Sequence, residues 1–246
     1  MIGLPSQTSA ATLGYAVVFG LAGLACLASI PRARQVDQPD VRRGLVWLLI
    51  TSGGWAVFKL AFLLTPGPRV VEEAVYTTGL VIGFGTVWAW LYFCSAYTGR
   101  TYHRRSMFRR LGLAIFAAVV TAKLTNPLHG QYFTLVEETT PFAHLAVVHG
   151  PIHWVATGLS YTLAAVGLFM LYELYVESGY NTRPLAALSV LLGLPVVFDL
   201  IALWTPLINV IYAPLGVAAF TVGVLFVFER RFLAVQKNGG DDDPAV

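Results

Sequence analysis

The chain has 246 residues, 57% of them hydrophobic and 12% charged, with a mean hydropathy of +0.68 and a net charge of +3. An ordinary soluble domain carries about 25% charged residues, so this composition excludes one and describes a multi-pass protein of the cytoplasmic membrane. The small positive balance is accounted for by arginines in short loops, and it gives no argument for a nucleic-acid partner.

Seven runs are long enough to span a bilayer, which takes roughly 17–25 residues each. They are Thr12 to Ile30, Gly44 to Leu64, Val71 to Tyr97, Arg109 to Pro127, Pro151 to Tyr175, Leu185 to Leu207 and Val210 to Phe228. Lys123 interrupts the end of the fourth run, and without that run the count falls to six. The first run has no basic residue before it and a longer apolar core than a signal peptide, so it is expected to stay in the mature protein. Cys26 and Cys94 lie inside spans and read as small apolar packers rather than a disulfide framework. "GLVIG" (Gly79 to Gly83) on the third run is a GxxxG pattern, which serves either dimerisation or tight packing inside a bundle. Between the fourth and fifth runs, "QYFTLV" (Gln131 to Val136) and "FAHLAVV" (Phe142 to Val148) are β-prone and flank "EETTP", the pattern of a hairpin. Pro151 opens the fifth run, whereas Pro195 and Pro214 fall inside the sixth and seventh, where they loosen the backbone.

The arginines set the orientation. The loop from Pro31 to Arg43 carries four, the loop after the third run carries Arg100, Arg104 and Arg105, and Arg230, Arg231 and Lys237 follow the seventh run. Those segments are expected in the cytoplasm, with the N-terminus and the hairpin outside. Residues 1–236 then form one seven-transmembrane domain, and residues 237–246 a cytoplasmic tail or the start of a linker.

Depth sorts the charged residues. Asp199 lies about 9 Å below the outer end of the sixth run and Lys59 about 7–8 Å below that of the second, at 1.5 Å per residue. An ionised carboxylate in a membrane helix costs roughly 2.5–3.5 kcal/mol. The short side chain of Asp199 cannot reach bulk water, so it must face the bundle and meet a cation, a proton or a water. Lys59 and Lys123 have stems long enough to snorkel to the surface. Glu72 and Glu73 open the third run, where a helix dipole favours carboxylates. Tyr76, His153 and Trp154 join the same outer layer, and Asp199, Lys59, Glu72, Glu73, Tyr76, His153 and Trp154 are the candidate ligand-binding residues. A structural Asp199–Lys59 pair is the competing reading. His129, His144, His149 and His153 fall at the outer face, where imidazoles suit a metal or a pH sensor, but no zinc-binding spacing accompanies them and no metal site is assigned. The seventh run contains no lysine, which excludes a covalent retinal, and no other cofactor is indicated. Soluble-enzyme motifs are also missing.

"SAYTGR" (Ser95 to Arg100), "KLTNPLHGQYF" (Lys123 to Phe133) and "HGPIHWVATGLSYTLAAVGLFML" (His149 to Leu171), in this order and spacing, closely resemble the seven-transmembrane sensor region at the N-terminus of many prokaryotic membrane histidine kinases. The resemblance runs from about Tyr15 to Gln236. It implies an all-α seven-helix input module without enzymatic activity of its own, coupled to cytoplasmic PAS or kinase domains and acting as a homodimer. Many such proteins carry an amide near the position of Asp199, where this chain has an acid. "FERRFLAVQKNGGDDDPAV" resembles the run-in to a PAS domain and makes Glu229, Arg230 and Arg231 the expected signal-output residues. The expected function is detection of a small ligand or a proton in an outward-facing polar pocket. Two other classes stand beside it: a small transporter or proton pathway using Asp199, Glu72 and Lys59, with Glu173 and Glu177 as its second station, and a structural partner working through Gly79 and Gly83.

Overall fold

Four described helices are long and apolar enough to cross a membrane; the second and the fourth of them pack on the third, and the first packs on the second. The computed structural model describes residues 10–64, 68–139, 144–178, 215–219, 221–223 and 225. The element order is α1 (Ala10–Ala33), α2 (Pro39–Leu64), α3 (Arg69–Tyr97), α4 (Ser106–Leu124), α5 (Asn126–His129), β1 (Phe133–Glu138), β2 (His144–His149) and α6 (Pro151–Ser178), with a 3-10 turn at Tyr102–Arg104 before α4. The sixth predicted span lies outside the described residues; within the seventh, residues 215–219, 221–223 and 225 are helical.

The helices are longer than their apolar runs. α1 continues through Pro31, and the Arg34 amide still donates to the Ile30 carbonyl at 3.0 Å, so the polar loop expected from Pro31 to Arg43 shrinks to residues 34–38. Pro39 then opens α2 with Asp40 in its first turn, where proline loses no hydrogen bond and a carboxylate meets the helix dipole. α4 stops at Leu124, and Pro127 belongs to the separate turn α5, which ends in Gly130 at φ 60°. That left-handed conformation is one glycine adopts without a Cβ penalty. β1 begins two residues later than its β-prone run, because α5 and its caps take up Thr125 to Gly130.

α3 packs most extensively on α2, which in turn packs on α1; α3 also meets α6 and, more lightly, α4. Small residues permit the α2–α3 approach. A Cβ on Gly44 would stand 2.9 Å from the Phe93 Cα, one on Gly79 3.2 Å from the Phe58 Cβ, and one on Gly83 2.5 Å from the Trp55 ring. Both glycines of the GxxxG pattern are thus buried against α2 of the same chain. The main core joins Leu45, Leu48 and Leu49 to Trp90, Phe93 and Met170.

β1 and β2 form an antiparallel hairpin in which Phe133 faces His149, Leu135 faces Val147 and Glu138 faces His144. An isolated two-stranded hairpin is marginal in water. This one is held by burying Phe133, Leu135 and Val147 against Tyr76 and Leu80 of α3 and Ala156 of α6, while Val136 and Val148 point outward. Arg69 fixes its position from α3 by donating to the Leu135 carbonyl at 3.1 Å. Its base is joined to α6 through the backbone: Gly150 donates to Tyr132 at 2.9 Å and Ile152 to Gln131 at 3.3 Å. The second bond satisfies an amide that a helix N-terminus leaves open. A side chain at Gly150 would overlap the Gln131 carbonyl.

Gly44→Ala is expected to lower stability by about 1–3 kcal/mol through overpacking against the α3 backbone, whereas Gly14→Ala, with open space around it, should change it by about 0.5 kcal/mol or less. Thermal unfolding of the two variants in detergent checks the contrast.

Candidate functional site under the hairpin

Side chains from α2, α3, α4, β1, β2 and α6 converge beneath the hairpin. Lys59 of α2 is 3% exposed and its Nζ stands over the Tyr76 ring at 4.5 Å from the centroid. Lys123 of α4 is 4% exposed; its Nζ donates to the Leu80 carbonyl at 2.6 Å and faces the rings of Phe84 and Tyr132 at 4.9 and 5.6 Å. Neither lysine snorkels. Both ammonium groups are held inside by aromatic faces, and that of Lys123 by a helix carbonyl as well, the kind of compensation a buried cation needs.

A line of rings continues from them. Tyr76 stacks edge-on against Phe133 at 4.7 Å, and its hydroxyl shares a 3.3 Å hydrogen bond with His149 Nε2. His149 lies flat on His153, with centroids 3.8 Å apart, and His153 meets the Tyr132 ring edge-on at 5.4 Å. His153 is buried, and its Nδ1 has no hydrogen-bond partner among the described residues. Burial, and secondarily the positive charge of Lys59, pushes His149 down to about 4 from its ordinary 6.5, so the imidazole is neutral near pH 7.

Asn126 holds this arrangement in place. Its Oδ1 accepts from the amides of Tyr132 at 2.9 Å and Phe133 at 3.2 Å, and its Nδ2 donates to the Phe133 carbonyl at 2.9 Å. One 1%-exposed amide thereby substitutes for a strand where the chain leaves α5.

Of the candidates read from sequence, Lys59, Tyr76 and His153 come together here. Trp154 is 58% exposed, with its ring edge toward His149 and His153. Glu72 and Glu73 are half-buried near the start of α3. Asp199, Glu229, Arg230 and Arg231 lie outside the described residues. Asn126 and Tyr132 were not singled out from the sequence, although both stand in the "KLTNPLHGQYF" stretch. An asparagine just before a proline, at a helix end, was the available signal.

A second polar network occupies the opposite, arginine-rich end. Asp40 accepts from the Tyr92 hydroxyl at 3.2 Å and from Arg104 Nε at 2.9 Å, and lies 3.2 Å from His103 Nε2. His103 Nδ1 is 3.0 Å from Ser95 Oγ, which donates to the Arg100 carbonyl. Arg100 in turn pairs with Glu173 of α6. "SAYTGR" therefore carries the residues that tie α3 to the loop after it and to α6. The Asp–His–Ser sequence of contacts is structural: Ser95 is 2% exposed and already engaged with the His103 amide.

Residues 12–235 match the family model described as the N-terminal 7TM region of histidine kinase. The chain belongs to that family. It is a multi-pass membrane sensor region associated with histidine kinases, for which the partners implied are lipid and a kinase, and no kinase domain is found within it. No curated protein matches the chain. Of the two polar assemblies described, the hairpin-end cluster is the more deeply buried.

Asn126→Ala strands two buried amides and one carbonyl, and is expected to cost roughly 2–4 kcal/mol, read as a lowered melting midpoint with early proteolysis at the hairpin. The pH dependence follows from His149. Between pH 6.5 and about 4 the unfolded chain takes up a proton that the folded His149 refuses, so stability falls as pH falls through that window and is unaffected by this group above it. His149→Gln should flatten that slope in melts recorded from pH 7 to 4.

Proposed function

We propose that the sensor region is a seven-helix bundle with the hairpin outside and the C-terminus in the cytoplasm, and that it detects a small ligand or a proton at the hairpin-end cluster. The carrying observation is that two buried lysines, two buried tyrosines, the buried His153 and the half-buried His149 converge under one hairpin from α2, α3, α4, β2, α6 and the turn before β1. Charged side chains in a membrane bundle are expensive, and they are found where a pathway or a ligand uses them. The arginines at the other end of the same helices support the orientation through the positive-inside rule.

In the mechanism, Asp199 on the sixth helix belongs to the cluster and is matched to Lys59. A proton or an anionic group of a ligand competes for that lysine, releasing the sixth helix against the seventh. The seventh helix carries the movement to Glu229, Arg230 and Arg231 and to a kinase, in a homodimer as the family implies. A ligand drives this only by its different affinity for the two arrangements. The Arg100–Glu173 pair counts against the transporter reading, because the acid it would need as a second station is bound to an arginine near the far end.

Asp199→Asn is expected to abolish or lock the stimulus- or pH-dependent change in hydrogen exchange over residues 144–155 while leaving the melting midpoint nearly unchanged. Unaltered sensitivity removes Asp199 from the mechanism. Sealed vesicles holding the protein should show no proton flux above empty ones, and a sustained flux would favour a transport pathway.

A further inference from the structure

A groove of about 1680 Å³ runs along α3 on the arginine-rich half of the molecule, between the faces of α2, α4 and α6. Its walls are apolar, with Trp47 and Ile50 on α2, Leu113 on α4 and Phe169 on α6 all turned out of the core. Its rim is cationic: Arg43, Arg100, Arg109 and Arg110 line it, against Glu173 as the single acid among the described lining residues, which is engaged by Arg100. Arg109 and Arg110 stand exposed near the start of α4 and have no side-chain partner among the described residues.

The groove's length identifies its occupant. From Arg43 to Gly54 on α2 it extends about 16 Å, and from Glu173 to Leu163 on α6 about 15 Å, at 1.5 Å per helical residue. Half of a hydrocarbon core about 30 Å thick is the same distance. An apolar channel one leaflet deep, opening at a cluster of arginines, complements an amphiphile with an anionic head and a chain that ends at the bilayer midplane. The light packing of α4 on α3 leaves this channel to be closed from outside the helix pair.

We propose that this groove binds an anionic phospholipid, with its phosphate on Arg109 and Arg110 and an acyl chain laid along α3. A guanidinium pair suits phosphate because its donors form a planar fork. The bound lipid would join α4 to α2 and α6 at the end where the Asp40 and Arg100 networks also sit. This site is separate from the hairpin-end cluster and stands or falls without it.

The test is lipid retention by the chain purified in detergent, read by native mass spectrometry after incubation with equal amounts of phosphatidylglycerol and phosphatidylcholine. Phosphatidylglycerol should be retained preferentially and raise the melting midpoint. The R109Q/R110Q variant should lose about tenfold in that retention, whereas R32Q/R34Q, with the same charge removed outside the groove, should stay within about twofold of the parent. R109K/R110K should retain part of the preference, since the charge persists without the fork. Equal retention of the two lipids, or the same loss in R32Q/R34Q, overturns the proposal in favour of general surface charge. Protection by inorganic phosphate alone would show a soluble-anion site, and a lipid-free dimer that dissociates in R109Q/R110Q would make the groove an interface between copies; either result also overturns it.

Discussion

An amine carried below the surface of a membrane bundle cannot call on water, so everything that holds it must be supplied by the protein. Two such amines govern the hairpin end. Lys123 draws the Leu80 carbonyl and the faces of Phe84 and Tyr132 around it, and Lys59 sits over Tyr76. Those demands fix where the tyrosines stand, which in turn fixes the histidines stacked behind them. The hairpin acts as a cover that keeps this group dry, and Asn126 supplies the hydrogen bonds that keep the cover in register.

The same helices carry an opposite kind of polar assembly at their other end. There, Asp40 and Glu173 are each matched to arginines from the loop after α3, partly open to solvent. Such pairs are individually weak. The two ends therefore differ in physical character: a dry cluster closed by rings and amides at one, an ionic clasp at the other. α3 and α6 run through both, and Trp90 of α3 joins them midway by donating to the Ala164 carbonyl at 3.1 Å.

Much of this was legible in the sequence because hydropathy fixes spans and β-prone runs fix hairpins. The shared depth of Lys59, Lys123, Tyr76 and His153 was also visible, since it requires only counting residues from helix ends. The direction of each side chain was not. Trp154 and His153 are neighbours in sequence, yet one is exposed and one buried, because a helix turns about 100° between them. Snorkelling was open to both lysines from stem length alone, and it is the aromatic and carbonyl groups of α3 and the Tyr132 ring before β1 that show them turned inward. Long-range pairs such as Asp40 with Arg104 have no local signature at all, being 64 residues apart.

The joint at Gly150 has a mechanical consequence. Because the hairpin base is bonded directly to the first turn of α6, and no side chain fits between them, any lean of that turn would be passed between hairpin and helix without slack. α6 has 28 residues, a rod of about 42 Å at 1.5 Å per residue, so a lean of roughly 5° at the hairpin would become a swing of roughly 3–4 Å at its far tip. That exceeds the slack of an ion pair, and Arg100 and Glu173 sit within the sweep.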